Sequence, residues 1–534
     1  MRFKFFITVI AALLPAVLSA EEGTGRQYRD FYFVRSISPW LSSVNAAGLH
    51  TLVPGRISVA GAGFEKADGA LIGTEGSDDS WEAGAFTESY VRVSPKIAFS
   101  GRLSYSNFRG RNMGGPVFMD PSYNPVNFYE STDTTTGVKT RELYTLSGGI
   151  AYAFDGRWSI GGKVDYQTGN CAKRKDPRFL NSWSDIFLSA GGRFAPSGRF
   201  SAGVAFIYRK TLETVTGSIY GTSDKQYYIL VDYGGFWGKR EQFGSDNGYI
   251  STSDSRPMYN SFYGAALQLD FGRSDAVRFF SELSWMKRSG YYGERGSSSV
   301  TYTEHSGHVF RYSGVLTAAS GRAVHRVSLD LEYSPLKNYE NIYRETTVQG
   351  QSPVVEYFGK NKVLDRNTAG LSLSYAGYLG LEDSRPEWEY GASVTAGLCS
   401  FTAVSYPFYR HQDVVRFSGE LFGKKNVTVR KNILSVSAGC GYAAGSGTEN
   451  RDGEYVTSTS ELPFSGDAYL HRDFEYRTAG RVSVSLTFRY TRMAGKGIAV
   501  YVEAGDRFTR AVEEPVYLHG ASRNVFTLSI GCFF

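Results

Sequence analysis

The chain has little of what stabilises small secreted or metal-bound proteins. Only four of its 534 residues are cysteines, and they form no CxxC pair: Cys171, Cys399, Cys440 and Cys532. Zinc sites and dense disulfide frameworks use closely spaced cysteines, so the sequence indicates neither. His305 and His308 have a spacing that could hold a metal, but no carboxylates or thiols cluster beside them, and we interpret them as a solvated pair in a loop.

The sequence also lacks the residue combinations of an enzyme. A barrel enzyme would need a nucleophile or an acid beside a positioned base. None of the seven histidines stands in such a motif, and no glycine loop has a phosphate-binding pattern. We therefore predict no catalytic residues, no metal and no cofactor.

Long apolar runs and an excess of one charge are both absent after residue 20. No later segment approaches the roughly 18 consecutive apolar residues that mark a membrane helix. The 58 Lys and Arg residues nearly balance the 52 Asp and Glu residues, and the net charge of +6 is spread along the chain. Nothing in this balance suggests a nucleic-acid partner.

Residues 1–20 have the pattern of a secretory signal peptide. Arg2 and Lys4 precede an apolar stretch, which ends in small residues at Ser19 and Ala20. An uncleaved membrane helix, the alternative, would need about 20 apolar residues. We expect cleavage near Ala20 and export across the inner membrane.

Glycine and aromatic residues are abundant, with 61 Gly, 37 Tyr and 36 Phe. At the carboxy-terminus, Phe526, Leu528, Ile530, Cys532 and Phe534 alternate with mostly small residues. Side chains two apart share one face of a strand. This pattern resembles the terminal strand of bacterial outer-membrane β-barrels, and the resemblance implies that the barrel-assembly machinery recognises Phe526, Leu528, Ile530 and Phe534.

The same two-residue period recurs along the chain, for example at Val482, Val484 and Leu486. A soluble antiparallel sandwich would also alternate in this way. Three features favour a membrane barrel. Apolar stretches of about 9–11 residues match tilted spanning strands, the second face is small or polar like a lumen, and aromatics cluster at the strand ends like interfacial girdles. The sequence thus predicts an all-β, transmembrane, antiparallel β-barrel.

The spacing of turn residues predicts the topology. Short connections rich in Gly, Pro, Asp and Asn lie at 94–96, 155–156, 195–199, 272–275, 319–323, 380–387, 423–426 and 491–496. Long polar connections lie at 65–83, 107–142, 168–184, 210–258, 288–307, 334–365, 401–413, 443–475 and 507–523. Eight short turns and nine long loops predict about 18 strands, plus or minus 2, within residues 55–534. The short turns should be periplasmic and the long loops extracellular, and 210–258 could hide a further hairpin.

Thirteen charged residues on the polar faces of these strands are predicted to face the lumen: Arg102, Lys163, Asp165, Arg193, Glu282, Arg326, Asp330, Glu332, Arg416, Glu420, Arg481, Arg489 and Glu503. Their mixed signs predict no strong preference for cations or anions. They could form a selectivity lining, or ion pairs that only satisfy a polar interior, which is the simpler explanation.

Residues 21–54 precede the first predicted strand without alternating, and we predict that they form a periplasmic or lumenal plug. Its candidate residues are Pro39, Trp40, Asn45, Gly48 and Leu49. The stretch from Ser38 to Leu49 resembles the N-P-A-G-L segment near the start of fatty-acid-transporter-type outer-membrane channels, with alanine in place of proline at Ala46. In those channels an N-terminal hatch occupies the barrel. The whole chain resembles an uncharacterised outer-membrane barrel family known only as a domain of unknown function, which implies fold and location but no activity.

Two functions remain open. About 18 strands can enclose a water-filled lumen, so the first is a channel or transporter for small or hydrophobic solutes, plugged by 21–54, in the outer membrane of a Gram-negative bacterium. The second is a surface-interaction or structural barrel with a closed lumen and partner-binding loops. The expected partners are outer-membrane lipid, the barrel-assembly machinery, and a solute or surface partner of unknown identity.

Overall fold

The computed structural model describes residues 28–534 except 54, 121–122, 132, 221–224, 245–247, 253–254, 275, 347–352 and 496. The predicted signal peptide therefore lies outside the described residues. Most of the chain forms eighteen long strands: β1 (Arg56–Asp68), β2 (Asp79–Arg92), β3 (Ile97–Met113), β5 (Gly137–Ala153), β6 (Trp158–Lys173), β7 (Arg178–Ser197), β8 (Phe200–Ser218), β11 (Met258–Ser274), β12 (Val277–Gly296), β13 (Ser299–Ser320), β14 (Ala323–Thr346), β15 (Val354–Leu379), β16 (Trp388–Ser405), β17 (Phe408–Val429), β18 (Asn432–Glu454), β20 (Arg481–Gly495), β21 (Ile498–Ala511) and β22 (Ser522–Phe533).

These strands form one antiparallel sheet that closes on itself. Each strand pairs with its neighbours in chain order, and β1 pairs with both β2 and β22. In the closing pair, Val59 lies opposite Phe533 and Asp68 lies opposite Asn524. The predicted all-β barrel of 18 antiparallel strands is confirmed.

The barrel has its apolar side chains on the outside. On β20, Val482, Val484, Leu486 and Phe488 point outward and are 43–56% exposed. An outer apolar face over a polar interior is the arrangement of outer-membrane barrels, whose strands contact lipid on one side and the lumen on the other. Among the described residues, no helix is long and apolar enough to span a bilayer.

The remaining elements are short and lie inside the barrel or at its ends. Helix α1 (Phe31–Ser36) and the 3-10 helices Pro39–Leu41 and Ala46–Thr51 precede β1, a third 3-10 helix is Asp133–Thr135, and helix α2 (Asp467–Thr478) lies between β18 and β20. A second sheet has four strands: β4 (Asn127–Glu130), β9 (Tyr227–Asp232), β10 (Trp237–Phe243) and β19 (Phe464–Ser465). Their order in the sheet is β19-β10-β9-β4. The hairpin considered within 210–258 therefore exists, but it is not part of the wall.

Several predicted long loops are instead strand. The predicted loops 168–184, 288–307 and 401–413 shrink to connections at 174–177, 297–298 and 406–407. Strand β15 has 26 residues, far more than the roughly 9–11 that cross a bilayer. These segments have polar residues on both faces, a pattern that resembles a loop in the sequence. They are strands because the wall continues beyond the membrane, where pairing with neighbouring strands still satisfies the backbone hydrogen bonds.

The predicted turn at 423–426 is wrong. Strand β17 runs through this segment to Val429, and β18 begins at Asn432. Lys424 pairs with Glu389 at 2.7 Å across the ladder to β16. The two adjacent lysines at this position, Lys424 and Lys425, resemble a polar turn in the sequence, but they lie within a strand, and Lys424 contacts the neighbouring strand.

The two faces of β16 should tolerate charge very differently. Val394 is 50% exposed on the outer face, and its neighbour Thr395 points into the barrel. Val394→Lys should lower the free energy of unfolding in lipid vesicles by about 2–4 kcal/mol, because a lysine near the bilayer midplane loses its hydration. Thr395→Lys is the matched control and should change it little. Urea titrations read out by heat-modifiable gel mobility would measure both, and equal effects would contradict this orientation of the strand.

Candidate functional site

The N-terminal segment, residues 28–53, lies across the end of the barrel where the short turns are, which we call the turn end. Phe33 packs on Tyr378 with ring centroids 5.0 Å apart, and Tyr28 packs on Phe533 at 5.6 Å. Tyr378 and Phe533 belong to an apolar ring of inward-facing wall residues: Ile57, Val59, Tyr90, Ala98, Ala151, Val324, Tyr378, Ile433, Ala499, Tyr501 and Phe533. The segment therefore packs against wall strands from several sides of this mouth.

Asn45 anchors the segment to the wall. It is fully buried, and its Nδ2 donates to the Gly192 carbonyl at 3.0 Å and to Gln268 Oε1 at 2.9 Å. Its Oδ1 accepts from the Ala47 N–H at 3.0 Å, so the same side chain begins the 3-10 helix Ala46–Thr51. An N-cap asparagine satisfies N–H groups that the helix leaves unpaired.

Trp40 is the second anchor. Its indole Nε1 donates to Asp270 Oδ2 at 2.6 Å, and its ring meets Phe280 edge-on at 5.1 Å. The Arg193 guanidinium lies 5.3 Å from the centroid of the indole ring. The ring is 1% exposed, so a large apolar surface is buried with its polar atom paired.

Three wall glycines on β6, β7 and β8 let the segment approach the backbone. A Cβ at Gly161 would lie 2.5 Å from the Ala46 carbonyl carbon. At Gly191 it would lie 2.7 Å from Asn45 Oδ1, and at Gly203 it would lie 2.9 Å from Asn45 Nδ2. We call Gly161, Gly191 and Gly203 the glycine cradle, because any larger residue there would displace the segment.

Gly161→Ala should loosen the N-terminal segment. Overpacking costs about 1–3 kcal/mol and would destabilise the packed position of the segment. Trypsin should therefore cleave after Arg35 about tenfold faster or more in the folded barrel. Gly162→Ala is the matched control on the same strand, because a Cβ there has no contact closer than 3.7 Å. Limited proteolysis followed by mass spectrometry would measure both rates, and equal rates would argue against the cradle.

The opposite, loop end of the barrel is filled by its own connections. The four-stranded inner sheet packs through Ile229, Val231 and Phe243 on inward-facing residues of the wall, among them Val215 and Tyr292. Helix α2 contributes Tyr469 and Leu470 to a second apolar cluster with this sheet. Three predicted loops, 107–142, 210–258 and 443–475, thus send segments into the lumen.

Arginines fix the connection between β3 and β5 inside the lumen. The carbonyl of Tyr123 accepts from Arg288 at 3.0 Å and from Arg366 at 2.9 Å. The Arg288 guanidinium also stands 4.2 Å from the centroid of the Tyr123 ring. Arg209, which pairs with Asp185 at 2.7 Å, donates to the Tyr123 hydroxyl at 3.3 Å. Charge-assisted hydrogen bonds of this kind are stronger than neutral ones, so this connection is held firmly.

A cavity of about 1350 Å³ lies between the two closures. Val44 of the N-terminal segment and Asp232, Gly234 and Phe236 of the inner-sheet hairpin line it, together with the wall and α2. Charged side chains of both signs face it. The cavity therefore has a mixed lining, in which charged side chains stand among apolar ones such as Ile207, Phe236 and Met286.

Two carboxyl groups from the loop end border this cavity. Burial raises the pKa of Asp232 to about 6, although the N–H groups of Gly234 and Trp237 donate to it. Burial also raises the pKa of Glu75, and the charge of Asp120 adds to that shift. Both groups hold their protons at higher pH than free carboxyls, and Asp232 loses its negative charge as the pH drops through about 6.

The structure places all thirteen predicted lumen residues on the interior face of the wall. Six line the cavity: Glu282, Asp330, Glu332, Arg416, Glu420 and Arg481. The other seven lie outside its lining: Arg102, Lys163, Asp165, Arg193, Arg326, Arg489 and Glu503. Several form ion pairs, such as Arg489 with Glu503 at 2.7 Å, whereas Glu282 accepts from Ser43 of the N-terminal segment at 2.5 Å.

Sequence reasoning missed cavity residues at strand ends and in connections, including Tyr123, Arg366, Arg477, Arg507 and Arg523. Residues 507–523 were predicted to be a loop, yet Arg507 continues the inward set of β21 and Arg523 that of β22. Extending the two-residue period past the predicted strand ends would have found these two. No pattern in the sequence predicted that the connection with Tyr123 folds inward.

The interpretation of His305 and His308 as a solvated loop pair is wrong. Both lie on β13, on opposite faces of the wall. His305 is buried, and its Nε2 hydrogen-bonds to Asn260 Oδ1 at 2.8 Å. His308 accepts from Trp285 Nε1 at 3.2 Å on the outside. An odd separation on a strand keeps the two rings apart.

The terminal strand presents part of its predicted signal to the exterior. Phe526, Leu528 and Ile530 are 42–55% exposed on the outer face. Phe534 is half-buried, with the Arg56 guanidinium 5.1 Å from its ring centroid. Phe533 points inward and belongs to the apolar ring, a role that the alternation did not reveal.

Solved structures similar to this chain include three outer-membrane proteins. A FadL homologue from Pseudomonas aeruginosa has 11% identity over 95% of this chain and 98% of its own, with a TM-score of 0.34. The outer membrane transporter YddB from Escherichia coli has 7% identity over 89% and 81%, with a TM-score of 0.39. BauA, the ferric preacinetobactin receptor from Acinetobacter baumannii, has 10% identity over 89% and 80%, with a TM-score of 0.37.

No curated protein matches the chain in sequence. Residues 46–534 match the model of a family of unknown function, DUF6850, in agreement with the resemblance to an uncharacterised barrel family. The match covers the glycine cradle, the apolar ring and the whole wall. The chain therefore belongs to the DUF6850 family.

Proposed function

We propose that this protein is a gated channel of the outer membrane of a Gram-negative bacterium, through which a small polar solute passes when the N-terminal segment moves aside. The single observation that carries this proposal is the cavity of about 1350 Å³, lined in part by charged side chains, between two separate closures. Such a space can hold a small solute. In this role the exposed outer face contacts outer-membrane lipid, and the terminal strand is the element that the assembly machinery recognises.

The attachment of the N-terminal segment supports its role as a movable plug. Among the described residues, one hydrogen bond joins its backbone directly to the backbone of the barrel, from the Asp30 N–H to the Ser384 carbonyl at 3.3 Å. All other polar contacts involve side chains. The segment forms no strand with the wall, so it can leave without breaking the sheet.

The lining of the cavity supports a water-soluble cargo. Arg311 pairs with Glu332 at 2.6 Å, and Asp330 and Arg416 also face the space. These charged side chains are accessible to water, and they would lose hydration if an apolar molecule entered, which is unfavourable. Of the two cargo classes that the sequence suggested, we therefore favour the small solutes over the hydrophobic ones.

Loosening the plug should open the channel. Trp40→Ala with Asn45→Ala removes the two anchors at Asp270 and Gln268, so liposomes that contain this variant should swell severalfold faster in arabinose than liposomes with the unaltered protein. Ser42→Ala, a change of an exposed residue on the same segment, is the matched control and should leave the rate unchanged. Heat-modifiable gel mobility confirms folding of each variant.

Swelling that stays at the background rate in the folded double variant would contradict the channel. That outcome would favour the alternative, a closed barrel that binds a partner at its loop end. Swelling that is equally fast in the unaltered protein and in both variants would instead contradict the plug, because the lumen would then be open with the segment in place.

A further inference from the structure

One side of the cavity carries a cluster of arginines. Arg416 lies on β17, Arg477 on α2, Arg481 on β20, Arg507 on β21 and Arg523 on β22, and all five line the cavity. Strands β17, β18, β20, β21 and β22 are consecutive in the sheet. We call these five residues the arginine wall.

Within the part of the chain that the structure describes, only two members of the arginine wall form an ion pair with a carboxylate. Arg477 pairs with Asp473 at 2.8 Å, and Arg507 pairs with Glu420. Arg416 forms no hydrogen bond or ion pair with any other residue that the structure describes. Its positive charge interacts at longer range with the carboxylate of Asp473, which is already paired with Arg477.

The remaining two arginines contact backbone carbonyls. Arg481 donates from Nη2 to the Tyr476 carbonyl at 2.8 Å, and Arg523 donates from Nη1 to the Ser77 carbonyl at 2.8 Å. Each contact uses one nitrogen, whereas a guanidinium has five N–H donors. The carbonyls fix the position of each group without neutralising it, and further donors remain.

Hydroxyl groups lie between these two arginines. Ser483 on β20 lies directly opposite Thr509 on β21, and Thr509 is opposite Arg523 on β22. Ser483 and Thr509 also line the cavity. Arginines with interleaved hydroxyls provide the donors that carboxylate and phosphate oxygens require.

We propose that the arginine wall binds the anionic end of the solute, a small molecule that bears two or more carboxylate or phosphate groups. This inference rests on the proposed function, in which the cavity holds the solute. Eight carboxylates also line the cavity, so the lining as a whole is not positive: Glu75, Asp120, Asp232, Glu282, Asp330, Glu332, Glu420 and Asp473. The wall therefore positions anionic groups at one side of the solute rather than attracting anions throughout the lumen.

The test uses calorimetric titration of the full-length barrel in detergent with two probes of similar size. Citrate carries three carboxylates, and its trimethyl ester carries none. Citrate should bind and the ester should not. Arg416→Gln with Arg523→Gln should weaken citrate binding at least tenfold, and added salt should weaken binding to the unaltered protein, because the attraction is between charges.

Arg157→Gln with Arg199→Gln is the matched control. Both arginines are exposed at turns, so this variant loses the same charge away from the cavity and should bind citrate normally. Arg416→Lys with Arg523→Lys keeps the charge and should recover part of the affinity. Gel mobility confirms folding throughout.

Three results would overturn the arginine wall: no binding of citrate by the unaltered protein at millimolar concentration, equal binding of citrate and its ester, or equal loss in the wall and control variants. These results are separable from a failure of the channel. Citrate binding without solute flux would support the anion site and contradict the transport role. Solute flux without citrate binding would support the channel and contradict the anion site.

Discussion

The structure depends on the closing pair between β1 and β22. In hydrocarbon no water is present to satisfy a backbone N–H or C=O group, so a sheet can span a membrane only when it has no free edge. The ladder from Val59–Phe533 to Asp68–Asn524 removes that edge. Closure with an even number of strands also brings both ends of the wall to the turn end. The N-terminal segment therefore begins beside the mouth that it covers, and Phe533, at the end of the chain, helps to form the ring on which it packs.

A wall of 18 strands encloses more space than its own side chains fill, and the two ends of this barrel are filled by different means. At the turn end, an apolar ring and a few buried side-chain anchors receive a segment whose backbone is nearly independent of the sheet, and the glycine cradle supplies the room. At the loop end, chain connections form a sheet of their own, and arginines bind the backbone of the inserted connection at Tyr123. The cavity is the part of the lumen that neither the N-terminal segment nor the connections of the loop end occupy.

The sequence predicts the wall well because each strand obeys a local rule. Side chains alternate with a period of two, so the exposed apolar set at Val482, Val484 and Leu486 is visible without knowledge of any contact. The wall is far taller than predicted, because above the membrane both faces can be polar and the alternation fades. The inward course of the Tyr123 connection was not predictable, since it depends on arginines from distant strands. Asn45 and Trp40 were singled out by a short resemblance, but their partners, Gln268 and Asp270, are more than 200 residues away in the chain.

The different chemistry of the two closures bears on which one moves. Opening the loop end would expose the buried core of the inner sheet and leave Arg288, which is buried, and Arg366, which is partly buried, without the carbonyls that they bind. A buried charge that loses its partners is costly, so these connections stay in place and solute at this end must pass beside them. Displacement of the N-terminal segment breaks the hydrogen bonds of Asn45, those of Trp40 with Asp270 and of Ser43 with Glu282, and the ion pair of Arg35 with Glu88, while the wall strands stay paired. Water that enters from the turn end can then solvate the exposed polar groups of the mouth. The lower free-energy route to the cavity is therefore through the turn end, and we expect a solute held on the proposed arginine wall to leave the barrel on that side.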